Sequence, residues 1–182
     1  MYNLPEKEWL MLNFSLPKEP SRVRVSVWRK LKKYGAVSIG QSMWLLPASD
    51  EHLAVFNEIS REIIQNSGNA YIVKADFITA VDSSDIVGLF NKARDEEYEE
   101  FLDKCEDFFH EIEKETAKQN FTFGELEENE EEYNKLAEWL KKIIARDFFN
   151  APQRNVSEQN LGKCQQLLDE FSDKVYQSNE EK

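Results

Sequence analysis

Residues 16–48, LPKEPSRVRVSVWRKLKKYGAVSIGQSMWLLPA, carry the pattern that decides the fold. Ser21 is a good N-cap, and from Arg22 onward Val23, Val27, Leu31 and Tyr34 recur at helical spacing along one side. Arg22, Arg29 and Lys33 gather on the opposite side, and Gly35 stops the helix. Residues 36–39 and 43–46 are short strand-like runs joined across Gly40-Gln-Ser42, which reads as a hairpin, and Pro47 ends the second. A basic helix followed by a hairpin is half of a split βαβ unit.

The flanks supply the other half. Upstream, residues 9–16 form an apolar run long enough for a buried strand, bounded by charges and by Pro17. Downstream, Ser49-Asp-Glu-His52 opens a second helix with Leu53, Phe56, Ile59, Ile63 and Ile64 as its apolar side. Residues 66–68, Asn-Ser-Gly, close it, and the β-branched and aromatic run 70–79 reads as a fourth strand. The order β-α-β-β-α-β predicts a ferredoxin-like α+β domain: a four-stranded antiparallel sheet with two helices on one face.

Beyond it the sequence turns helical. Asp82-Ser-Ser-Asp85 is expected to cap a long helix reaching about Gln119, and residues 120–124 break it. A second helix is expected over 125–149, and Ser157 precedes a third through Leu161, Cys164, Leu168, Phe171 and Val175. The expected domains are therefore 1–81, the ferredoxin-like part, and 82–182, three helices packed together or on the open sheet face.

The net charge of −12 over 182 residues is unevenly spread. Residues 1–48 hold eight Lys/Arg against three Asp/Glu, whereas residues 82–182 hold 13 against 27. A chain this acidic repels nucleic acid at long range, so DNA contact needs a local patch, and only the N-terminal third offers one. No apolar run is long enough to span a membrane, and the first residues do not read as a secretory signal. Cys105 and Cys164, far apart in sequence, fit a reduced, cytoplasmic protein.

Candidate residues follow from charge and spacing. Arg22, Arg29, Lys30, Lys32 and Lys33 can span phosphates, with Trp28 packing on sugar or base; the alternative is a solvated helix face. Arg24, at the edge of the apolar face, is expected to pair with a carboxylate of the 95–97 segment. Arg94-Asp95 and Arg146-Asp147 read as interhelical bridges, or else as a pocket for a tetrahedral oxyanion. Asp107 and His110 have a di-metal-like spacing but no second pair, so no metal or other cofactor is expected. A nuclease of this fold needs an acid at the end of the first strand, where the chain reads Asn13-Phe-Ser-Leu-Pro17. No phosphate loop or nucleophile motif appears, and no enzymatic activity is expected. Ferredoxin-like modules often pair through an edge strand, so residues 70–79 are expected to make a homodimer.

Several ordered motifs resemble one family. They are Ser15-Leu-Pro17, Ser21-Arg-Val-Arg-Val25, Val27-Trp-Arg-Lys-Leu31, Gly35-Ala-Val37 and Trp44-Leu-Leu-Pro47, then Ala93-Arg-Asp-Glu-Glu-Tyr98, Phe121-Thr-Phe-Gly-Glu-Leu-Glu-Glu128, Ala145-Arg-Asp-Phe-Phe149 and Cys164. Over residues 9–176 the chain resembles the N-terminal domain of the bacterial chromate-resistance family ChrB. It also looks like the ferredoxin-like module of phenylacetate-catabolism repressors and of a small CRISPR-associated nuclease subunit. The resemblance implies a regulatory role in chromate resistance, with this domain contacting DNA or a regulatory partner. Full-length members carry a further C-terminal domain held to sense chromate, and no sensing role is carried over to these residues.

Overall fold

The computed structural model describes residues 8–40, 42–76 and 80–180. The chain divides into two compact units, residues 1–90 and 91–182. The expected boundary at 81/82 precedes this division by about one helical segment.

In the first unit, β1 (Trp9–Ser15), β2 (Val37–Ser38), β3 (Met43–Pro47) and β4 (Asn69–Ala75) form one sheet in the order β2-β3-β1-β4. Every neighbouring pair is antiparallel. With α1 (Ser21–Lys33) after β1 and α2 (Asp50–Gln65) after β3, this is the ferredoxin-like βαββαβ arrangement. Successive side chains on a strand point to opposite faces. Leu10 and Leu12 of β1 therefore share a face with their partners Leu46 and Trp44 on β3, and all four are buried. Val27 and Leu31 of α1 and Phe56, Ile59 and Ile63 of α2 complete that core. Each such side chain is worth about 2 kcal/mol of transfer free energy. On the other face, Trp9 stacks against Phe90 with ring centroids 5.5 Å apart. Ile86 and Phe90 are buried, so the first turns of the long helix belong to the sheet unit.

The closing turns explain two small residues. Gly35, after α1, has φ +77°, a conformation that a Cβ disfavours. A Cβ on Gly68 would stand 2.5 Å from the Ser15 carbonyl oxygen and 2.7 Å from Ile63 Cγ2, so the α2–β4 turn closes onto the end of β1 only with glycine there.

The remaining helices are α3 (Ala80–Ala117), α4 (Phe123–Ile144) and α5 (Arg154–Glu180). In the second unit they share one core, to which α3 gives Tyr98, Phe101, Phe108 and Ile112, α4 gives Leu126, Leu136, Leu140 and Ile143, and α5 gives Leu168, Phe171 and Val175. Among the described residues no helix is long and apolar enough to cross a membrane.

Several boundaries differ from expectation. Pro20, not Ser21, stands at the N-cap of α1, and the Ser21 N–H donates instead to the Glu19 carboxylate at 3.3 Å. Leu53 and Ile64 are exposed, while Val55 takes a buried place on α2. α3 begins at Ala80, so residues 82–85 lie within the helix and do not cap it. α4 ends at Ile144, and α5 starts at Arg154. Ser157 is thus inside α5, where its hydroxyl donates to the Gln153 carbonyl at 3.0 Å. β4 ends at Ala75, and residues 77–79 of the expected strand lie outside the described residues.

Candidate nucleic-acid interface

α1 buries a single line of side chains one turn apart, Val23, Val27 and Leu31. Ser26 and Lys30, beside that line, turn to α2. Ser26 Oγ donates to Glu62 Oε1 at 2.8 Å, and Lys30 Nζ lies 3.0 Å from carboxylate oxygens of both Glu58 and Glu62. These bonds, that to Glu62 foremost, raise the Lys30 ammonium above its ordinary range. Burial pushes the Glu62 carboxyl up, but the hydrogen bonds from Ser26 and Lys30 outweigh it and hold the group low. Lys30, expected among the phosphate-spanning cations, is thus committed within the fold.

The rest of the helix circumference faces water. Arg22, Arg24, Val25, Trp28, Arg29 and Lys33 are exposed, and Lys32 is half-buried. Residues four apart on a helix are neighbours, so two rows form, Arg24–Trp28–Lys32 and Val25–Arg29–Lys33. Trp28 is 51% exposed, which removes it from any structural core and leaves an indole flanked by cations. Lys33 Nζ also sits 5.7 Å from the Tyr34 ring centroid. No carboxylate occurs between Ser21 and Lys33 to neutralise the face. Arg24 sits one residue past the buried Val23, on the outward side of α1, and is exposed.

The second cluster lies in the helical unit. Arg94 is only 2% exposed. Its Nη2 stands 3.0 Å from Glu97 Oε1, and Arg146 Nη2 stands 2.6 Å from the other oxygen of the same carboxylate. Burial lowers the Arg94 pKa from its ordinary value, with Glu97 opposing the shift. Asp95 accepts the Gln153 backbone N–H at 2.9 Å. Asp147 is buried, accepts the Tyr98 hydroxyl at 3.0 Å, and accepts the Ala151 N–H at 3.0 and 3.2 Å. Burial first, and the Asp147 charge second, push the Tyr98 hydroxyl well above the usual phenol range. Arg154 adds a longer contact, 3.9 Å from Asp147 Oδ2. Glu97 thus bridges Arg94 and Arg146, while Asp95 and Asp147, the acids that follow the two arginines in sequence, accept backbone N–H groups of residues 153 and 151.

A protein-family model described as "Protein ChrB, N-terminal" matches residues 24–182. The chain belongs to that family. The match takes in the basic face from Arg24 and both Ala-Arg-Asp segments of this ChrB N-terminal family member. A protein named "Protein ChrB" from Cupriavidus metallidurans is 26% identical over 98 residues, covering 54% of this chain and 30% of that protein. The aligned part is thus under a third of the relative's length. No solved structure matches. The family is the chromate-resistance-related one that the motifs resemble.

Within this ChrB N-terminal fold, Asp107 pairs with Lys104 at 2.7 Å and His110 is exposed. Among the described residues no group of three or more His, Cys, Asp or Glu side chains is placed to hold a metal ion. Sequence reasoning missed Glu97, Tyr98 and Arg154 as members of the buried network. Tyr98 and Glu97 lie in the quoted Ala93–Tyr98 motif, and the i,i+3 spacing of Arg94 and Glu97 is a local signal for one ion pair, but Arg146 and Asp147 come from beyond residue 145 and no local signal names them.

Proposed function

We propose that this ChrB N-terminal domain is a non-enzymatic regulatory module of chromate resistance that contacts duplex DNA through the outer face of α1. The observation carrying this reading is the two-row surface Arg24–Trp28–Lys32 and Val25–Arg29–Lys33, with Arg22 at its start, all free of carboxylates. Cations one turn apart suit successive phosphates, and a half-exposed indole suits packing on sugar or base. Arg24 takes the role expected of Lys30. Two copies joined along β4, the edge strand, would present two such faces to one duplex.

A salt titration of binding to duplex DNA tests it, because taking one cation off a phosphate lowers the slope of log K against log salt by about one. Arg29→Ala with Lys33→Ala should lower the slope by about two, as should Arg24→Ala with Lys32→Ala. Analytical ultracentrifugation of the same mixtures should give two chains per duplex. Slopes unchanged by both pairs of substitutions remove α1 as the DNA-binding element. A second reading, a protein-interaction module that never touches DNA, is favoured by the exposed acids Glu127, Glu128, Glu130 and Glu131 on α4. Absence of any duplex retention at low salt selects it.

A further inference from the structure

In the helical unit, α3 and α4 enclose a cleft of about 360 Å³. Residues 104, 107, 108 and 111 of α3 line it, facing 132, 135, 136 and 139 of α4, so each helix gives one stripe of residues three and four apart. The base is apolar. Phe108 and Leu136 are buried, and the half-buried Trp139 is held edge-on to Phe101 with ring centroids 5.8 Å apart. Asn129, only 4% exposed, completes the lining. Its Nδ2 donates to the Glu125 carbonyl at 2.8 Å, which leaves the carboxamide oxygen as an acceptor for a ligand. We propose that this cleft binds a small arylalkylammonium ion, an aromatic ring joined by a short chain to a protonated amine.

Size and charge select that class. The volume lies near the lower end of small-molecule pockets and accommodates one ring, not a helix. A ring packs on Phe108, Leu136 and the Trp139 indole, an apolar base with an aromatic wall. The rim carries three carboxylates, Asp107, Glu111 and Glu132, against two ammonium groups. Both of those cations are already engaged: Lys104 Nζ lies 2.7 Å from Asp107, and Lys135 Nζ lies 2.5 Å from Glu132. Glu111 shares one cation with the buried Glu115, Lys114 Nζ standing 2.8 Å from the first and 3.6 Å from the second. Residues 82–182 hold 13 Lys/Arg against 27 Asp/Glu, a net of −14, and a cleft in such a unit concentrates cations and repels anions. An ammonium has three donors and no acceptor, which matches a rim of carboxylates and the Asn129 oxygen.

The chain has four tryptophans, so the test follows their indole N–H signals by NMR in the isotope-labelled full chain, with that of Trp139 assigned from Trp139→Phe. Phenethylamine, protonated at neutral pH, should shift the Trp139 signal saturably and leave those of Trp9, Trp28 and Trp44 in place. Phenylpropionate has the same ring with a carboxylate, and ethylamine the same charge without the ring. Each should bind more weakly by about tenfold or more. Glu111→Gln with Glu132→Gln should weaken phenethylamine binding by about fivefold, and added salt should narrow that difference from the parent chain. Equal binding of the amine and the carboxylate overturns the proposal, as does a Trp139 signal that phenethylamine does not saturate. A Trp139 signal that answers to an arginine-rich peptide but not to phenethylamine also overturns it and makes the cleft part of a protein interface. The three probes on the parent chain decide the matter even if the double variant does not fold.

Discussion

The Glu115 carboxylate, 3% exposed at the end of α3, receives more donors than its neighbours in sequence suggest. Lys118 Nζ stands 2.9 Å from it and Asn120 Nδ2 2.7 Å, and Asn120 also donates to Glu125 of α4 at 2.9 Å. The hydrogen bonds, Lys118 first and Asn120 second, pull the carboxyl down to about 2 from an ordinary 4.5. A folded-state pKa below the unfolded one stabilises the native state wherever the unfolded carboxyl is ionised, and the contribution is lost as pH falls through the folded value. Glu115→Gln should therefore lower the urea midpoint at neutral pH, and the gap to the parent protein should narrow steadily from about pH 5 to about pH 3. A gap that keeps its size across that window would show that the carboxylate charge is not what holds this corner. The same logic separates the arginines. Arg94 and Arg146 each precede an aspartate in sequence, yet the carboxylate between them is Glu97, three residues after Arg94 on α3. Which acid Arg146 meets is set by how the helices pack and not by its neighbour in sequence.

At the scale of elements, caps distinguish helices that close locally from those that rely on packing. Ser49 accepts the His52 N–H at 3.0 Å, and Thr122 accepts the Glu125 N–H at 3.2 Å. Ser21, by contrast, is already inside α1, whose N-cap Pro20 has no side-chain acceptor to offer. Ser49→Ala and Thr122→Ala should each cost about 1 kcal/mol in urea unfolding, while Ser21→Ala should cost no more than a few tenths, about 0.3 kcal/mol. Equal losses at all three positions would contradict this distinction. The sheet and its two helices were readable because the apolar runs over residues 9–16 and 43–46, and a one-turn repeat of Val23, Val27 and Leu31, are short-range signals. What was unreadable depended on neighbours distant in sequence. Ile64 has the right spacing for the apolar side of α2, but the helix turns Val55 inward and leaves Ile64 in water. Ser157 looks like a cap, but Arg154 can begin the helix a turn earlier. Arg24 has an edge position on a wheel, and only the placement of α2 beside Ser26 and Lys30 fixes which edge is covered.

Across the whole molecule, the basic face of α1 works against a net charge of −12. Local contact and long-range repulsion obey different measures. The salt slope of DNA binding counts the cations placed on phosphates, whereas the encounter rate follows the net charge within a Debye length of about 10 Å at 0.1 M salt. Glu127, Glu128 and Glu131 are exposed on α4 and contribute three of the chain's negative charges. Changing all three to Gln should quicken association with duplex DNA at low salt, by roughly a fewfold, and the gain should shrink as salt rises. The slope of log K against log salt should stay closer to that of the parent chain than the slope of Arg29→Ala with Lys33→Ala does. Stopped-flow association at two ionic strengths, monitored by the half-exposed Trp28, separates the two effects. An association rate that ignores the three substitutions at low salt would mean that the acidic helices exert no field on the approaching duplex. The basic face would then bind as though the remaining charge were absent.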